Sequence, residues 1–303
     1  MAQRPHWLPD GLGVHASAVV RAIDIDTDSL LELIVLALAE DLDGGVDVTT
    51  VATVPNAQES VLELVARKDG VVAGVAVAVA VFDLVSSGSI EFEIHAVDGA
   101  RVTAGTTIAT FRGNTLELLT GERTALNFIS HLSGVATATA EWVSLLSGTK
   151  AKVRDTRKTT PGMRRLEKWA VRLGGGENHR MSLSDAALIK DNHIVAAGGV
   201  VEAFQAVQHR FPDLDIEVEV DSLEQLHAVV EAGADCVLLD NFTPDQMREA
   251  VDWTAGRAKL EASGGLTVES AKAVAATGVD FVAVGAITHS APVLDIGADL
   301  RAI

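Results

Sequence analysis

From residue 151 onward, apolar positions follow two alternating rhythms. Short β-branched runs end in a polar residue or glycine at 151–156 (AKVRDT), 186–191 (AALIKD), 215–221 (DIEVEVD), 235–240 (DCVLLD), 258–263 (AKLEAS) and 280–285 (DFVAVG). Between the later runs, apolar residues recur every three or four positions at 200–211, 222–233, 243–253 and 267–278. The first rhythm predicts strands and the second predicts amphipathic helices. Ser222 with Gln225, and Thr243 with Gln246, have the spacing of a capping box, and Pro244 sits where a first helical residue tolerates proline. Gly233 and Gly278 mark helix C-termini. EAGADCVLLD and ATGVDFVAVG read as two copies of one helix–turn–strand unit. Strands alternating with helices at this spacing imply a parallel sheet, which an α/β barrel and a doubly wound sheet both satisfy. In DIEVEVD, Ile216, Val218 and Val220 take one face and Asp215, Glu217, Glu219 and Asp221 the other. Acids inside a helix-covered open sheet are hard to hydrate, whereas at a barrel mouth they meet cations and solvent. The pattern therefore favours a C-terminal α/β barrel, open or irregular, with parallel strands.

The first half is different. Helical spacing covers 27–41 and 115–134, residues 59–74 read as a hairpin around Lys68-Asp69-Gly70, and 90–113 read as short strands joined by glycine turns. The longest apolar run, 70–82, is too short and too rich in small residues to span a bilayer and reads as a packed hairpin or helix. These elements predict an N-terminal α/β sandwich domain over 1–131, joined by the C-terminal tail 289–303, with the barrel and its catalytic site over 132–288.

Composition narrows the class. With 48% apolar residues in 303, the chain has material for a large core. A net charge of −18 argues against a general nucleic-acid or membrane-surface role, which needs a broad basic face. The single cysteine, Cys236, lies in an apolar run, is expected to point into a core, and rules out an intramolecular disulfide. The first residues lack the apolar stretch of a signal peptide. A cytoplasmic location is expected.

Against that acidity, residues 150–180 hold ten Lys/Arg and three Asp/Glu, a local charge of +7 against −25 over the rest of the chain. Crowded cations repel unless an anion neutralises them. Arg164, Arg165, Lys168 and Arg172 recur at helical spacing and read partly as a solvated face. Arg157, Lys158, His179 and Arg180 flank turns and are the better ligand candidates. Functional groups of a parallel barrel gather at the carboxyl ends of its strands. Those ends carry Arg154 to Lys158, then Lys190, Glu219, Asp240, Ser263-Gly264-Gly265, and Gly285. Cations come first, carboxylates follow, and glycine loops that offer backbone N–H groups to a phosphate come last. Glu219 and Asp240 suit Mg2+ through water, or sugar hydroxyls; alternatively they pair with Arg154 or Lys190 to neutralise the interior.

Together, EDLDGGVDVTT (40–50), GERTALN (121–127), DTRKTTPGMRRLEKWAVRLGGGENHR (155–180), LIKDNHI (188–194), IEVEV (216–220), LLDN (238–241), SGGL (263–266) and VGAITHS (284–290) resemble the motifs of the quinolinate phosphoribosyltransferases, in order and over nearly the whole chain. The resemblance implies transfer of phosphoribosyl from phosphoribosyl pyrophosphate to quinolinate with loss of CO2, giving nicotinate mononucleotide and pyrophosphate for NAD synthesis. It implies Mg2+ and no organic cofactor. It implies that Arg123, Thr156, Arg157, Lys158, His179, Arg180 and Lys190 meet quinolinate and the diphosphate. Glu219, Asp240, Ser263, Gly264, Gly265, Val284, Gly285 and Ala286 would meet the ribose and its 5′-phosphate. Lys158, Lys190, Glu219 and Asp240 are the expected catalytic residues, with Glu219 and Asp240 near the metal through water or the diphosphate. The family is dimeric, and Arg123 is expected to reach the neighbouring subunit's site; a higher oligomer is compatible, and neither nucleic acid nor membrane is an expected partner. A relative acting on another aromatic acid, and a non-catalytic phosphosugar binder, share many of these features.

Overall fold

The computed structural model describes Pro9 and residues 11–303, so most of the segment read for a signal peptide lies outside the described residues. In chain order the elements are α1 (Val14–Arg21), α2 (Thr27–Leu42), α3 (Val48–Thr53), β1 (Glu59–Ala66), β2 (Gly70–Val71), α4 (Val75–Val85), β3 (Glu91–Ile94), β4 (Arg101–Val102), β5 (Thr107–Asn114) and α5 (Thr115–Leu145). They continue with β6 (Lys152–Arg154), α6 (Arg164–Leu173), β7 (Ala187–Ile189), α7 (Asp191–Ala197), α8 (Val200–Arg210), β8 (Ile216–Val220), α9 (Leu223–Glu231), β9 (Cys236–Asp240), α10 (Pro244–Thr254), β10 (Lys259–Ser263), α11 (Val268–Ala275), β11 (Phe281–Ala283), α12 (Ala286–His289) and β12 (Ile296–Ala302). The described residues form two compact units: one from those up to 138 with 161–174 and 291–303, the other from 139–160 and 175–290.

The first unit is built on a four-stranded antiparallel sheet in the order β12-β1-β5-β3. The apolar run resolves into α4, buried on every face. Such a helix cannot leave its first N–H groups to water. Asp98 accepts hydrogen bonds from Gly74, Val75 and Ala76 N–H at 2.6, 2.9 and 3.2 Å. The expected hairpin over 59–74 does not form: β1 pairs with β5 and β12, while β2 pairs with β4. The long apolar β1, buried at six of its eight positions, takes a central place with a partner on either side. The C-terminal tail supplies one of those partners, β12, as Ser60↔Ala302 through Ala66↔Ile296.

Helix α6 packs with the first unit although the expected barrel range contains it. Its Glu167 is fully buried and receives His131 Nε2 at 2.8 Å. Lys168 is also fully buried, so the expectation of a solvated basic face fails there; Arg165 and Arg172 are exposed. The basic window thus divides between the units.

The second unit is the parallel sheet β6-β11-β10-β9-β8-β7, flanked by helices. Its edge strands, β6 and β7, are consecutive in sequence, the order of a barrel not fully closed. Beside β6 the chain returns as a partial rung: Glu177 N–H donates to Val153 O (2.8 Å) and Asp155 N–H to Glu177 O (3.2 Å). Helix caps follow the expected markers. Thr243 and Gln246 complete a reciprocal box, whereas Gln225 Oε1 accepts from Asp221 N–H, one residue before the expected Ser222. Cys236 does not enter an apolar core; it is half-buried and faces the polar barrel interior. Among the described residues no helix is long and apolar enough to cross a membrane.

Candidate active site

Strand parity aims alternate side chains of β8 and β10 into the barrel. Val218 and Val220 bury outward while Glu217 and Glu219 turn inward; on β10, Glu261 and Ser263 do the same. At the carboxyl ends, a cavity of about 260 Å³ is lined by Thr156, Arg157, Lys158, His179, Arg180, Leu188, Lys190, Glu219, Leu238, Glu261, Ser263 and Ala283. Eight of these are residues expected from sequence.

The cations are held by a buried anchor. Asp155, fully buried, accepts from Asn178 Nδ2 at 2.6 Å and from His179 N–H at 2.9 Å. This joins the loop carrying Arg157 and Lys158 to the segment carrying His179 and Arg180. Lys158 is tied further, since Thr288 Oγ1 donates to its carbonyl at 2.8 Å. Arg180 Nη1 donates to Ala186 O at 3.1 Å. Burial, and then the neighbouring Arg157 guanidinium, hold Arg180 below the ordinary arginine range. Two guanidiniums side by side in a cavity are a ready receptor for carboxylate or phosphate oxygens.

Lys190 pairs with Glu219, the neutralising alternative weighed for that carboxylate. Asp240 does not line the cavity; its Oδ2 accepts from Asn241 Nδ2 at 2.8 Å, and it sits in register with Ser263. Arg154 pairs with neither, and turns to Glu261 at 3.1 Å while stacking over Phe281. Burial works to lower the Arg154 pKa, but the charge and hydrogen bond of Glu261 raise it.

Beyond Ser263 the backbone turns through Gly264 (φ 91°) and Gly265 (φ 58°). A Cβ on Gly264 would collide with the Asn241 side chain and approach its backbone nitrogen to 2.9 Å. A Cβ on Gly285 would lie 3.2 Å from Lys158 Cδ. Val284 and Ala286 flank that glycine, Val284 N–H donating to Arg154 O at 2.9 Å. Arg123 lies on α5 in the first unit, where it is exposed.

Asp155, Asn178, Glu217 and Glu261 were absent from the expected set. Glu217 and Glu261 were within reach, because each stands two residues before an expected inward residue. Asp155 was hidden among charged neighbours that drew attention to their cations.

Oxygen donors at strand ends fit a hard cation such as Mg2+. Glu219 is already paired with Lys190 and Asp240 is bonded to Asn241 outside the cavity lining, so the set suits a cation brought in with a diphosphate rather than one caged by protein.

Comparison with known proteins agrees over both units. Residues 47–133 match the N-terminal domain and residues 135–299 the C-terminal domain of quinolinate phosphoribosyl transferase. A Mycobacterium leprae protein named nicotinate-nucleotide pyrophosphorylase (carboxylating) is 50% identical over 281 residues, covering 91% of this chain and 99% of that one. A Bacillus subtilis protein named as a probable enzyme of the same kind is 45% identical over 242 residues, 78% of this chain and 82% of the other. The solved structure of the nicotinate-nucleotide pyrophosphorylase from Francisella tularensis superposes with a TM-score of 0.88 at 38% identity, covering 92% of this chain and 98% of that one. The chain belongs to the quinolinate phosphoribosyl transferase family.

Proposed function

We propose that the cation-lined cavity at the carboxyl end of the barrel receives quinolinate beside phosphoribosyl pyrophosphate. The protein transfers the phosphoribosyl group to quinolinate with decarboxylation, giving nicotinate mononucleotide, pyrophosphate and CO2 in NAD biosynthesis. The observation that carries this reading is the Arg157–Arg180 juxtaposition inside a cavity that also holds Lys158 and Lys190. A pyridine dicarboxylate supplies two anions for those cations and an apolar ring for Leu188, Leu238 and Ala283.

In this reading Thr156, Arg157, Lys158, Arg180 and Lys190 bind and orient quinolinate so that its N1 faces C1 of the ribose. Glu219 and Asp240 accept the ribose hydroxyls, and the N–H groups after Ser263 and around Gly285 bind the 5′-phosphate. As N1 attacks C1, positive charge grows on the ribose, and Lys158 and Lys190 steady the departing diphosphate. Once ribosylated, the ring nitrogen bears a positive charge next to C2 and stabilises the electron pair left there when CO2 departs. Mg2+, carried on the diphosphate near Glu219 and Asp240, supplies further charge neutralisation when bound.

The enzyme works in the cytoplasm as a dimer in which Arg123 completes the partner's cavity. Mixing an Arg123→Ala variant with a Lys190→Ala variant tests the dimer: shared cavities restore activity in one site of the hybrid, whereas additive inactivity contradicts sharing. The reaction itself is tested by product analysis with quinolinate, phosphoribosyl pyrophosphate and Mg2+. Nicotinate, which lacks the second carboxylate, should serve at least tenfold less well, on the scale of about 1.5–3 kcal/mol for a charged hydrogen bond.

A further inference from the structure

At the cavity floor His179 meets a cluster whose carboxylates the proposed quinolinate binding does not use: Glu217 and Glu261, with Arg154 beside them. Its chemistry begins with the histidine. Arg180 N–H donates to His179 Nδ1 at 2.7 Å, so Nδ1 keeps its lone pair and the ring proton sits on Nε2. Nε2 lies 2.6 Å from Glu217 Oε2 and 3.7 Å from Glu261 Oε1.

The carboxylates are not equivalent. Glu217 lines a second cavity, of about 490 Å³, at the amino ends of the strands; its Oε2 faces His179 Nε2, and its Oε1 accepts from Cys236 Sγ at 3.6 Å. Glu261 lines only the upper cavity, alongside Lys190 and Ser263. Its Oε2 accepts from Arg154 Nη1 at 3.1 Å. Its Oε1 is buried and, among the described residues, has no hydrogen-bond partner. Glu261 lines the cavity proposed for quinolinate and keeps one oxygen unpartnered, so it is the member of the cluster placed to exchange a proton with a bound substrate.

We infer that Glu261 is a further catalytic residue, the general acid that delivers the proton replacing the lost carboxylate at C2. This rests on the functional reading above. The C2–carboxylate bond breaks, CO2 leaves, and its electron pair stays on C2 beside the cationic ring nitrogen. The O–H bond of Glu261 breaks, the proton forms the new C2–H bond, and the Glu261 carboxylate is held by Arg154 until solvent reprotonates it. One proton is consumed per turnover. The groups facing Glu261 are Arg154 from β6, Glu217 from β8, Cys236 from β9 and His179 from the return segment. Burial, then the Glu217 charge, push the Glu261 carboxyl up to about 7, which keeps it a usable acid near neutrality.

The test is Glu261→Gln, compared with Glu261→Asp, in steady-state turnover of quinolinate with Mg2+ and phosphoribosyl pyrophosphate. A general acid predicts a kcat loss on the order of 10²-fold for E261Q, with KM for quinolinate within about threefold. The unsubstituted enzyme should lose kcat as pH rises through about 7, E261Q should lack that alkaline limb, and E261D should retain it. A rise in KM matching the loss of kcat/KM, or an alkaline limb that persists in E261Q, overturns the assignment. Should E261Q not fold, turnover of the unsubstituted enzyme in mixed H2O and D2O decides. Hydrogen discrimination at C2 should differ below and above pH of about 7 as the donor changes from Glu261 to water; discrimination constant across that range overturns the proposal. Absence of turnover in the unsubstituted protein would instead remove the functional reading itself.

Discussion

Arg180→Ala separates a cation kept for a ligand from a cation kept for the fold. In the free protein the Arg180 guanidinium donates to Ala186 O at 3.1 Å and endures both burial and the Arg157 charge, against a smaller attraction from Asp185 and Glu217. Losing that charged bond costs about 1.5 kcal/mol, and relief from desolvation and repulsion offsets most of it. Free-protein stability should therefore change by less than about 1 kcal/mol. Binding should respond differently. A charged hydrogen bond to a carboxylate contributes about 1.5–3 kcal/mol, so quinolinate affinity should fall roughly 10- to 150-fold at about 1.4 kcal/mol per decade. Urea unfolding without ligand and calorimetric titration with quinolinate read the two quantities on the same preparations. An affinity within twofold of the unsubstituted protein, or a loss of free-protein stability as large as the loss of binding, would refute the reasoning.

Asp155→Ala removes the acceptor shared by Asn178 and His179 N–H and should destabilise the fold by about 2–4 kcal/mol. Melting experiments read that change, and the quinolinate KM should rise because both cation-bearing segments lose their common anchor. Gly264→Ala forces a side chain onto φ 91° and into Asn241; the KM for phosphoribosyl pyrophosphate should rise while quinolinate binding in its absence stays within about twofold. Glu261 carries a raised pKa of about 7 against an ordinary 4.5. Its protonated form therefore contributes stability that is complete below pH 4.5 and is lost as pH rises through about 7. Urea midpoints should fall between pH 6 and 8, and the fall should shrink in E261Q.

The barrel was legible because its signals are local. Inward acids alternating with outward valines in IEVEV, proline and threonine at the start of α10, and glycines after α9 and α11 each state one structural fact without help from distant residues. The first unit resisted for the opposite reason. Nothing near residues 59–74 signals that β1 pairs with β12, more than 200 residues away, and a local turn at Lys68-Asp69-Gly70 imitates a hairpin. Lys168 was misread because helical spacing of charges ordinarily marks a solvated face, and its full burial depends on tertiary packing that periodicity does not encode. At the candidate site, residues standing at strand ends could be found by counting. Asp155 and Asn178 could not, since their importance lies in the hydrogen bond that joins two segments.

Product analysis of the purified protein with quinolinate, phosphoribosyl pyrophosphate and Mg2+ examines the whole line of reasoning at once. Stoichiometric nicotinate mononucleotide, pyrophosphate and CO2, with little product when nicotinate replaces quinolinate, is the expected result. No CO2 or pyrophosphate, or equal use of the monocarboxylate, would mean that the crowded cations of the barrel mouth are not there for a pyridine diacid.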